Sequence, residues 1–344
     1  MSTESSPRIL ISRMSAIGDT ILTMPVACAL RQHFPNAFLA WVVEKKAAPM
    51  IRKHPAMDRV IELERGWFTS PRGIRSARHL LREHRFDVSI DCQGLTKSAL
   101  AGWLSGAAQR IGYAGKHGGE LSRVLNNTLV KPVFSHLTDR SLELLIPLGV
   151  TAPKVKWRMP IHETARNWSL RWRRTIDAPR LAVLNPGATA HSKMWEPDRF
   201  GLTARYLGDR YGYRSIVVWG NSGERAMAEQ IVAHSQGTAT IAPDTDLHHL
   251  AALIAVSDLF ISGDTGPLHM AVAVGTPTIG LYGSTRPGDS GPYGQIALQK
   301  AYESGSRRHR RKADNTAMRQ IHVRHVCEAI DQIERKRQLL AEAA

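Results

Sequence analysis

The residues best equipped for chemistry sit in four short stretches, each built around a glycine. Ser262-Gly263-Asp264-Thr265-Gly266-Pro267-Leu268-His269 closes an apolar run and opens a helical pattern. Pro267 suits the first helical turn, so Thr265 and Gly266 present backbone N–H groups at a helix N-terminus. Such an end holds a diphosphate through those donors and the positive end of the helix dipole; the plainer alternative is a well-capped helix with nothing bound. Asn185-Pro186-Gly187-Ala188-Thr189-Ala190-His191-Ser192-Lys193 offers a glycine turn, a hydroxyl and an ammonium. Lys193 is then either a surface cation or a phosphate ligand. In Asn221-Ser222-Gly223-Glu224, Glu224 either favours the helix dipole or accepts hydrogen bonds from ribose hydroxyls. In Ser15-Ala16-Ile17-Gly18-Asp19-Thr20, Gly18 shapes a turn and Asp19 either caps the helix that follows or offers a carboxylate that can take a proton.

Other patterns are absent or point elsewhere. Neither G-x-G-x-x-G nor G-x-x-x-x-G-K-[ST] occurs, which demotes NAD enzymes and P-loop NTPases. Asp244-Thr245-Asp246 has the spacing of a cation-binding DxD, but it directly precedes a helical pattern, where Asp and Thr cap. His248 and His249 are adjacent and point to different helix faces. No metal site and no cofactor are expected. Arg72, Arg75, Arg78, Arg82 and Arg85 recur at helical spacing, which lines five guanidinium groups along one face and leaves Ile74, Leu80 and Leu81 to pack. Arg307-Arg308-His309-Arg310-Arg311-Lys312 reads as a basic loop.

These stretches must be positioned by regular elements. The 344 residues suffice for two domains, and 43% apolar with 22% charged composition excludes disorder, collagen and coiled coil. Lys+Arg exceed Asp+Glu by 46 to 30, for a net charge of +16, which is either a solvated basic surface or attraction to polyanions: nucleic acid, acidic headgroups or phosphorylated substrates. Aromatics at 6% leave little to stack bases, and no nucleic-acid module is present, so nucleic acid is not expected. No run reaches ~18 uninterrupted apolar residues and the N-terminus lacks a signal pattern. Three scattered cysteines imply a reducing compartment without a disulfide framework or structural zinc.

Apolar runs of strand length alternate with helical patterns. Strands are expected at 8–11, 38–43, 60–63 and 87–90, and helices at 20–34, 72–85 and 96–104. After the proline-bearing stretch Thr151–Pro160 the alternation restarts, with strands at 181–184, 215–219, 238–241, 259–262 and 278–282. Helices over 199–211, 224–234, 247–256 and 267–274 separate them, and a last one spans 323–340. This pattern predicts two doubly wound α/β domains. In such sheets ligands lie beyond the carboxyl ends of the strands, so two facing domains would place a cleft between them.

In this order, over about residues 8–330, these stretches resemble the lipopolysaccharide inner-core heptosyltransferases, glycosyltransferase family 9 with the GT-B fold of two Rossmann-like domains. MSAIGDTILTMPVACALRQHFP resembles the family's opening motif, DCQGLTKSAL its first-heptose enzymes, NPGATAHSKMW its nucleotide-domain loop, and SGDTGPLHMAVAVGTPTIGLYG its most specific signature. The sequence departs at Ala188, where the family often has a second Thr. The resemblance implies that Asp19 is the catalytic base. It also implies that Thr189, Lys193, Glu224, Asp264, Thr265, Gly266 and His269 bind the donor, and that Lys97 faces the acceptor; Arg75, Arg78 and Arg82 are assigned to the acceptor as an anion-attracting face. It divides the chain into an acceptor domain (1–155), a nucleotide-sugar domain (156–322) and a C-terminal helix (323–344). The implied reaction is inverting transfer of L-glycero-D-manno-heptose from ADP-heptose to Kdo of Kdo2-lipid A, with domain closure, in the cytoplasm at the inner face of the inner membrane. A heptosyltransferase II-like enzyme with another donor or acceptor is the alternative; an anionic-surface binder and a non-catalytic nucleotide sensor are the other classes.

Overall fold

Strands buried on both faces read as unbroken apolar runs, and those runs set the architecture here. The computed structural model describes residues 6–343. In the first half, β1 (Arg8–Ser12), β2 (Phe38–Glu44), β3 (Arg59–Leu63), β4 (Val88–Asp91), β5 (Gln109–Tyr113) and β6 (Thr128–Val130) form one parallel sheet in the order β3-β2-β1-β4-β5-β6. In the second, β7 (Arg180–Asn185), β8 (Tyr213–Val217), β9 (Ala239–Ile241), β10 (Leu259–Gly263), β11 (Thr278–Leu281) and β12 (Ile296–Leu298) repeat that order as β9-β8-β7-β10-β11-β12. Each half is thus a doubly wound sheet of the Rossmann order. The chain divides into two compact units between Pro160 and Ile161.

The order matters because it fixes where chains diverge. β1 pairs with β2 on one side and β4 on the other, with Ser12 opposite Asp91. β7 likewise pairs with β8 and β10, with Asn185 opposite Ser262. Connections leave these central pairs in opposite directions, so a crevice opens at each carboxyl edge. The loops bearing Arg13–Asp19 and Gln93–Lys97 flank the first crevice, and those bearing Thr189–Lys193 and Asp264–His269 flank the second.

Several elements differ from expectation. The first helix spans Ile17–His33, so Asp19 lies inside its first turn. The arginine-rich helix spans Pro71–Arg82, started by Pro71 and by Ser70 Oγ accepting from Gly73 N at 3.1 Å. Arg85 lies beyond it with φ +46° and leaves the stripe. Ala77 and Leu81 pack inward, whereas Leu80 is exposed. Residues Arg307–Lys312 form a short helix instead of a loop, capped by Ser306 Oγ accepting from His309 N at 3.2 Å. Strands β5, β6 and β12 were not expected: QRIGY carries polar side chains and a glycine, and the other two have three residues each.

The last helix, Val323–Glu342, buries Val326 and Ile330 in the second unit's core, beside Trp195, Phe200 and Leu207. Glu334 is 2% exposed there. It pairs with Arg180, accepts from Arg337 Nη1 at 2.6 Å, and accepts from Tyr213 OH at 2.6 Å. Removing one partner of such a cluster strands the others, although both arginines are about a third exposed and partly screened. Glu334→Ala should therefore lower the unfolding free energy by about 1–3 kcal/mol in urea titration. Glu334→Gln should cost less, because its amide oxygen still accepts from Tyr213. An alanine variant as stable as wild type would show that apolar packing alone holds the helix.

Candidate functional site

The first crevice is organised by a buried cation. Arg13 follows β1, and its side chain is 6% exposed. Its Nη1 donates to Cys92 O at 2.6 Å across the crevice, and its Nη2 meets Asp19 Oδ2 at 2.6 Å. Asp19 itself is 38% exposed, so its carboxylate is anchored from below and open from above. The helix N-cap is Ala16, which has no side-chain acceptor, so Asp19 is not the N-cap residue. Its Oδ2 instead receives the Ala16 N–H from the third helical position, at 3.4 Å. Of the two jobs open to Asp19 in the sequence, the capping contact is present but long, and the short contact is with Arg13.

Lys97 stands in the same crevice, at the start of the helix Thr96–Ser105, where its Nζ donates to Ser15 Oγ at 3.0 Å and pairs with Glu44. Gln93 Oε1 accepts from Met14 N at 2.9 Å and ties the two loops together. Beneath them, fully buried Asp91 accepts from Gln93 N, Gly94 N and Ser122 Oγ at 2.8–3.0 Å. Burial pushes its carboxyl up against these donors. Arg13, Glu44, Asp91 and Gln93 were missed in the sequence. A lone polar residue at a strand end has no period, and it takes the pairing of β1 with both β2 and β4 to bring them together.

The second crevice has the opposite character. Lys193 ends a short 3-10 turn, His191–Lys193, and its Nζ meets Asp264 Oδ2 at 2.5 Å. Asp264 Oδ1 lies 3.7 Å from His269 Nε2, and the carboxylate is 10% exposed. A Cβ on Gly263 would lie 2.6 Å from Lys193 O, so the glycine lets the Lys193 loop rest on the end of β10. Thr265 caps the helix Gly266–Val274, its Oγ1 accepting from Leu268 N at 3.4 Å. Asn185 Nδ2 donates to Ser262 Oγ at 2.8 Å and to Thr265 Oγ1 at 3.3 Å, fixing that cap from β7. Pro267 has no N–H, which leaves Gly266 N as the donor at the tip of the helix. His269 Nδ1 is buried and has no hydrogen-bond partner.

Glu224 sits beside this group. Its Oε2 accepts from Gly220 N at 2.8 Å, and a Cβ on Gly187 would fall within 2.3–2.8 Å of its carboxylate. Gly187 therefore admits the carboxylate against the loop that carries exposed Thr189. The structure thus gathers Lys193, Asp264, Thr265, Gly266 and His269, with Thr189 on the neighbouring loop and Glu224 in the first turn of the helix Ser222–His234. Asp246 caps the helix Leu247–Ala255, accepting from His249 N at 2.7 Å. No group of three metal-competent side chains occurs among the described residues.

Arg75, Arg78 and Arg82 are not brought to Lys97. Their helix runs back from the carboxyl edge, and Arg78 and Arg82 line a cavity with Gly106, Ala107 and Arg110 at the amino ends of β4 and β5. A strand of this length separates the two edges by roughly 15 Å.

Comparison with known proteins now bears on this geometry. Glycosyltransferase family 9 (heptosyltransferase) matches residues 74–342. The chain belongs to glycosyltransferase family 9. It is similar to lipopolysaccharide heptosyltransferase 1 of Pseudomonas aeruginosa, 28% identical over 304 residues, covering 84% of this chain and 82% of the relative. Lipopolysaccharide heptosyltransferase 3 of Escherichia coli K12 is also 28% identical, over 279 residues, covering 78% and 80%. Among solved structures, a family 9 glycosyltransferase from Veillonella parvula superposes with a TM-score of 0.82 at 23% identity, covering 96% and 97%. E. coli heptosyltransferase WaaC with ADP gives 0.74 at 24%, covering 96% and 98%. The GT-B fold and the glycosyltransferase class follow; among the described residues no helix is long and apolar enough to cross a membrane.

The family 9 crevice around Lys193 also sets a pH dependence. Burial by itself would push the Asp264 carboxyl up. The His269 ring and the Lys193 ammonium outweigh it and hold the carboxyl well below the usual carboxylate range. A carboxyl depressed on folding stabilises the protein above its unfolded value, near ~3.9, and loses that contribution as pH falls below it. The difference in unfolding free energy between wild type and Asp264→Asn should therefore be greatest at neutral pH and shrink from about pH 4 downward. Urea titrations at several pH values check this; a difference that stays flat to pH 3 contradicts the assignment.

Proposed function

We propose that this family 9 glycosyltransferase moves L-glycero-D-manno-heptose from ADP-heptose to a Kdo hydroxyl of a Kdo2-lipid A type acceptor, with inversion. One observation carries the reading. The two crevices hold complementary equipment: an open carboxylate on a fixed base in the first unit, and a cation beside a helix N-terminus in the second.

In this reading the acceptor oxygen attacks the anomeric carbon while its proton passes to the Asp19 carboxylate, held in place by Arg13. The bond from that carbon to the diphosphate oxygen breaks, and ADP departs with the electron pair. Lys193 and the Gly266 N–H meet the charge that develops on the leaving group. Asp264 keeps Lys193 extended toward the helix tip before the donor arrives, with His269 behind it. Thr189 adds a hydroxyl to the diphosphate, and Glu224 accepts from the ribose. Lys97 faces the acceptor beside Asp19, whereas Arg75, Arg78 and Arg82 act on the approach of an anionic acceptor through long-range attraction. The reading carries with it a cytoplasmic enzyme working at the inner face of the inner membrane. The similarity to heptosyltransferases 1 and 3 alike supports heptose transfer more broadly than it supports this acceptor. A heptosyltransferase II-like acceptor, or another donor, is the second reading.

Turnover of ADP-heptose with Kdo2-lipid A, against a heptosylated acceptor and against UDP-sugars, with the products weighed by mass spectrometry, decides between them. Asp19→Asn should reduce kcat by about 10²–10⁴. It should also cost roughly 1 kcal/mol of stability, because Arg13 loses its partner at a partly exposed site. ADP affinity should be unchanged, since Asp19 belongs to the other unit. An Asn variant with wild-type kcat would leave Asp19 as Arg13's counter-ion and nothing more.

Lys193→Ala should weaken ADP about 10- to 100-fold, the worth of a charge-assisted hydrogen bond to phosphate at ~1.5–3 kcal/mol. Calorimetry giving unchanged ADP affinity would remove the diphosphate from this crevice.

A further inference from the structure

At the amino edge of the first sheet, away from the crevice, lies a cavity of about 300 Å³ lined by Arg78, Arg82, Trp103 and Arg110. Three guanidinium groups converge on it, and no carboxylate pairs with any of them among the described residues. The acid nearest in sequence, Glu83, pairs with His79. Two of the three are pinned from behind. Arg82 Nε donates to Leu104 O at 3.4 Å, and Arg110 donates to Leu125 O at 2.8 Å and to Ala107 O at 2.9 Å. Each guanidinium has five N–H donors, so both keep donors to spare. Uncompensated like charges held around one concavity repel each other, and an anion seated among them relieves that repulsion. Geometry and charge together select a phosphate group, which guanidinium forks match.

Two features select a phosphate carried by a surface. Trp103 is 51% exposed at this cavity, and half-buried indoles favour the headgroup level of a bilayer. Arg72 and Arg75 continue the same helix outside the cavity, both exposed, and neither pairs with a carboxylate among the described residues. A single free phosphate has no use for that extension, whereas a sheet of anionic headgroups meets all of it.

We propose that Arg78, Arg82, Arg110 and Trp103 form a membrane-docking site that seats a phosphate headgroup of an anionic lipid surface. The inference deepens the proposed function, in which the acceptor is a membrane lipid. Its readout is lipid binding and not sugar transfer, so either can fail alone.

The test is co-sedimentation of the full chain with vesicles of phosphatidylcholine and phosphatidylglycerol, against pure phosphatidylcholine, at about 0.1 M salt. Wild type should bind the anionic vesicles selectively. At about fivefold per arginine, Arg78→Gln/Arg82→Gln should lose roughly 25-fold and the triple variant with Arg110→Gln roughly 100-fold. Trp103→Ala should weaken binding severalfold. The double variant, which leaves Arg110's backbone bonds intact, keeps the test valid if the triple variant unfolds. Arg166→Gln/Arg171→Gln/Arg174→Gln removes equal charge from the exposed face of a helix in the second unit and should leave binding near wild type. Equal loss in that control would reduce the effect to net charge and overturn the site. So would absence of anionic-vesicle binding, or calorimetric binding of inorganic phosphate that needs the three arginines while vesicles are ignored.

Discussion

Each sheet changes its direction of winding once, between β1 and β4 and again between β7 and β10. That reversal is the constraint on which everything chemical in this chain depends. Two neighbouring parallel strands send their connections to opposite faces, so the loops after them part, and backbone N–H groups and side chains at that edge are left without strand partners. The same strand order, used twice, creates two such places. What differs between them is the set of residues that the chain puts there.

Both crevices contain a cation poorly exposed to water and matched to a carboxylate: Arg13 with Asp19, Lys97 with Glu44, and Lys193 with Asp264. A buried ion pair contributes little net stability, because desolvation offsets most of the Coulomb attraction. Its value here is geometric. Arg13 spends one nitrogen on Cys92 O and another on Asp19, which anchors one oxygen of the carboxylate. Lys193 is held by a carboxylate that burial alone would push up and that the Lys193 and His269 charges hold down. The side chains are therefore aimed before any ligand arrives, and less free energy is spent on ordering them when it does.

How much of this could be read from the residues divides along a physical line. Long apolar runs and helical periods gave the central strands and major helices, because burial on both faces imprints a one-dimensional pattern. The loops Asn185–Lys193 and Ser262–His269 were legible because helix-capping chemistry and glycine positions are local. Arg13, Glu44 and Asp91 were not, since Cys92, Lys97 and Ser122, which they meet, lie tens of residues away and only the folded unit brings them together. The arginine stripe failed for a related reason. Periodicity correctly placed Arg72, Arg75, Arg78 and Arg82 on one helix, but periodicity carries no information about which edge of the sheet that helix ends on. Its end, at Arg82, left Arg85 outside and put the cluster on the edge away from Asp19.

That last fact follows from the fold's polarity. In a parallel α/β unit, helices return against the strands, so helix N-termini gather at the carboxyl edge and C-termini at the amino edge. At the carboxyl edge, free N–H groups and positive dipole ends already favour anions, and Gly266 with one lysine is enough equipment. At the amino edge the dipoles are reversed and the exposed backbone groups are carbonyls. An anion site there has to be made by side chains that first satisfy those carbonyls and then still present charge outward. Arginine does both: Arg82 and Arg110 donate inward to Leu104, Ala107 and Leu125, and retain N–H groups for the cavity. Lysine carries its three donors on one nitrogen, whereas the planar guanidinium spreads five over three nitrogens and can face inward and outward together. The fold's polarity thus accounts for a helix N-terminus and one lysine sufficing at the carboxyl edge of the second sheet, and for the arginine cluster at the amino edge of the first.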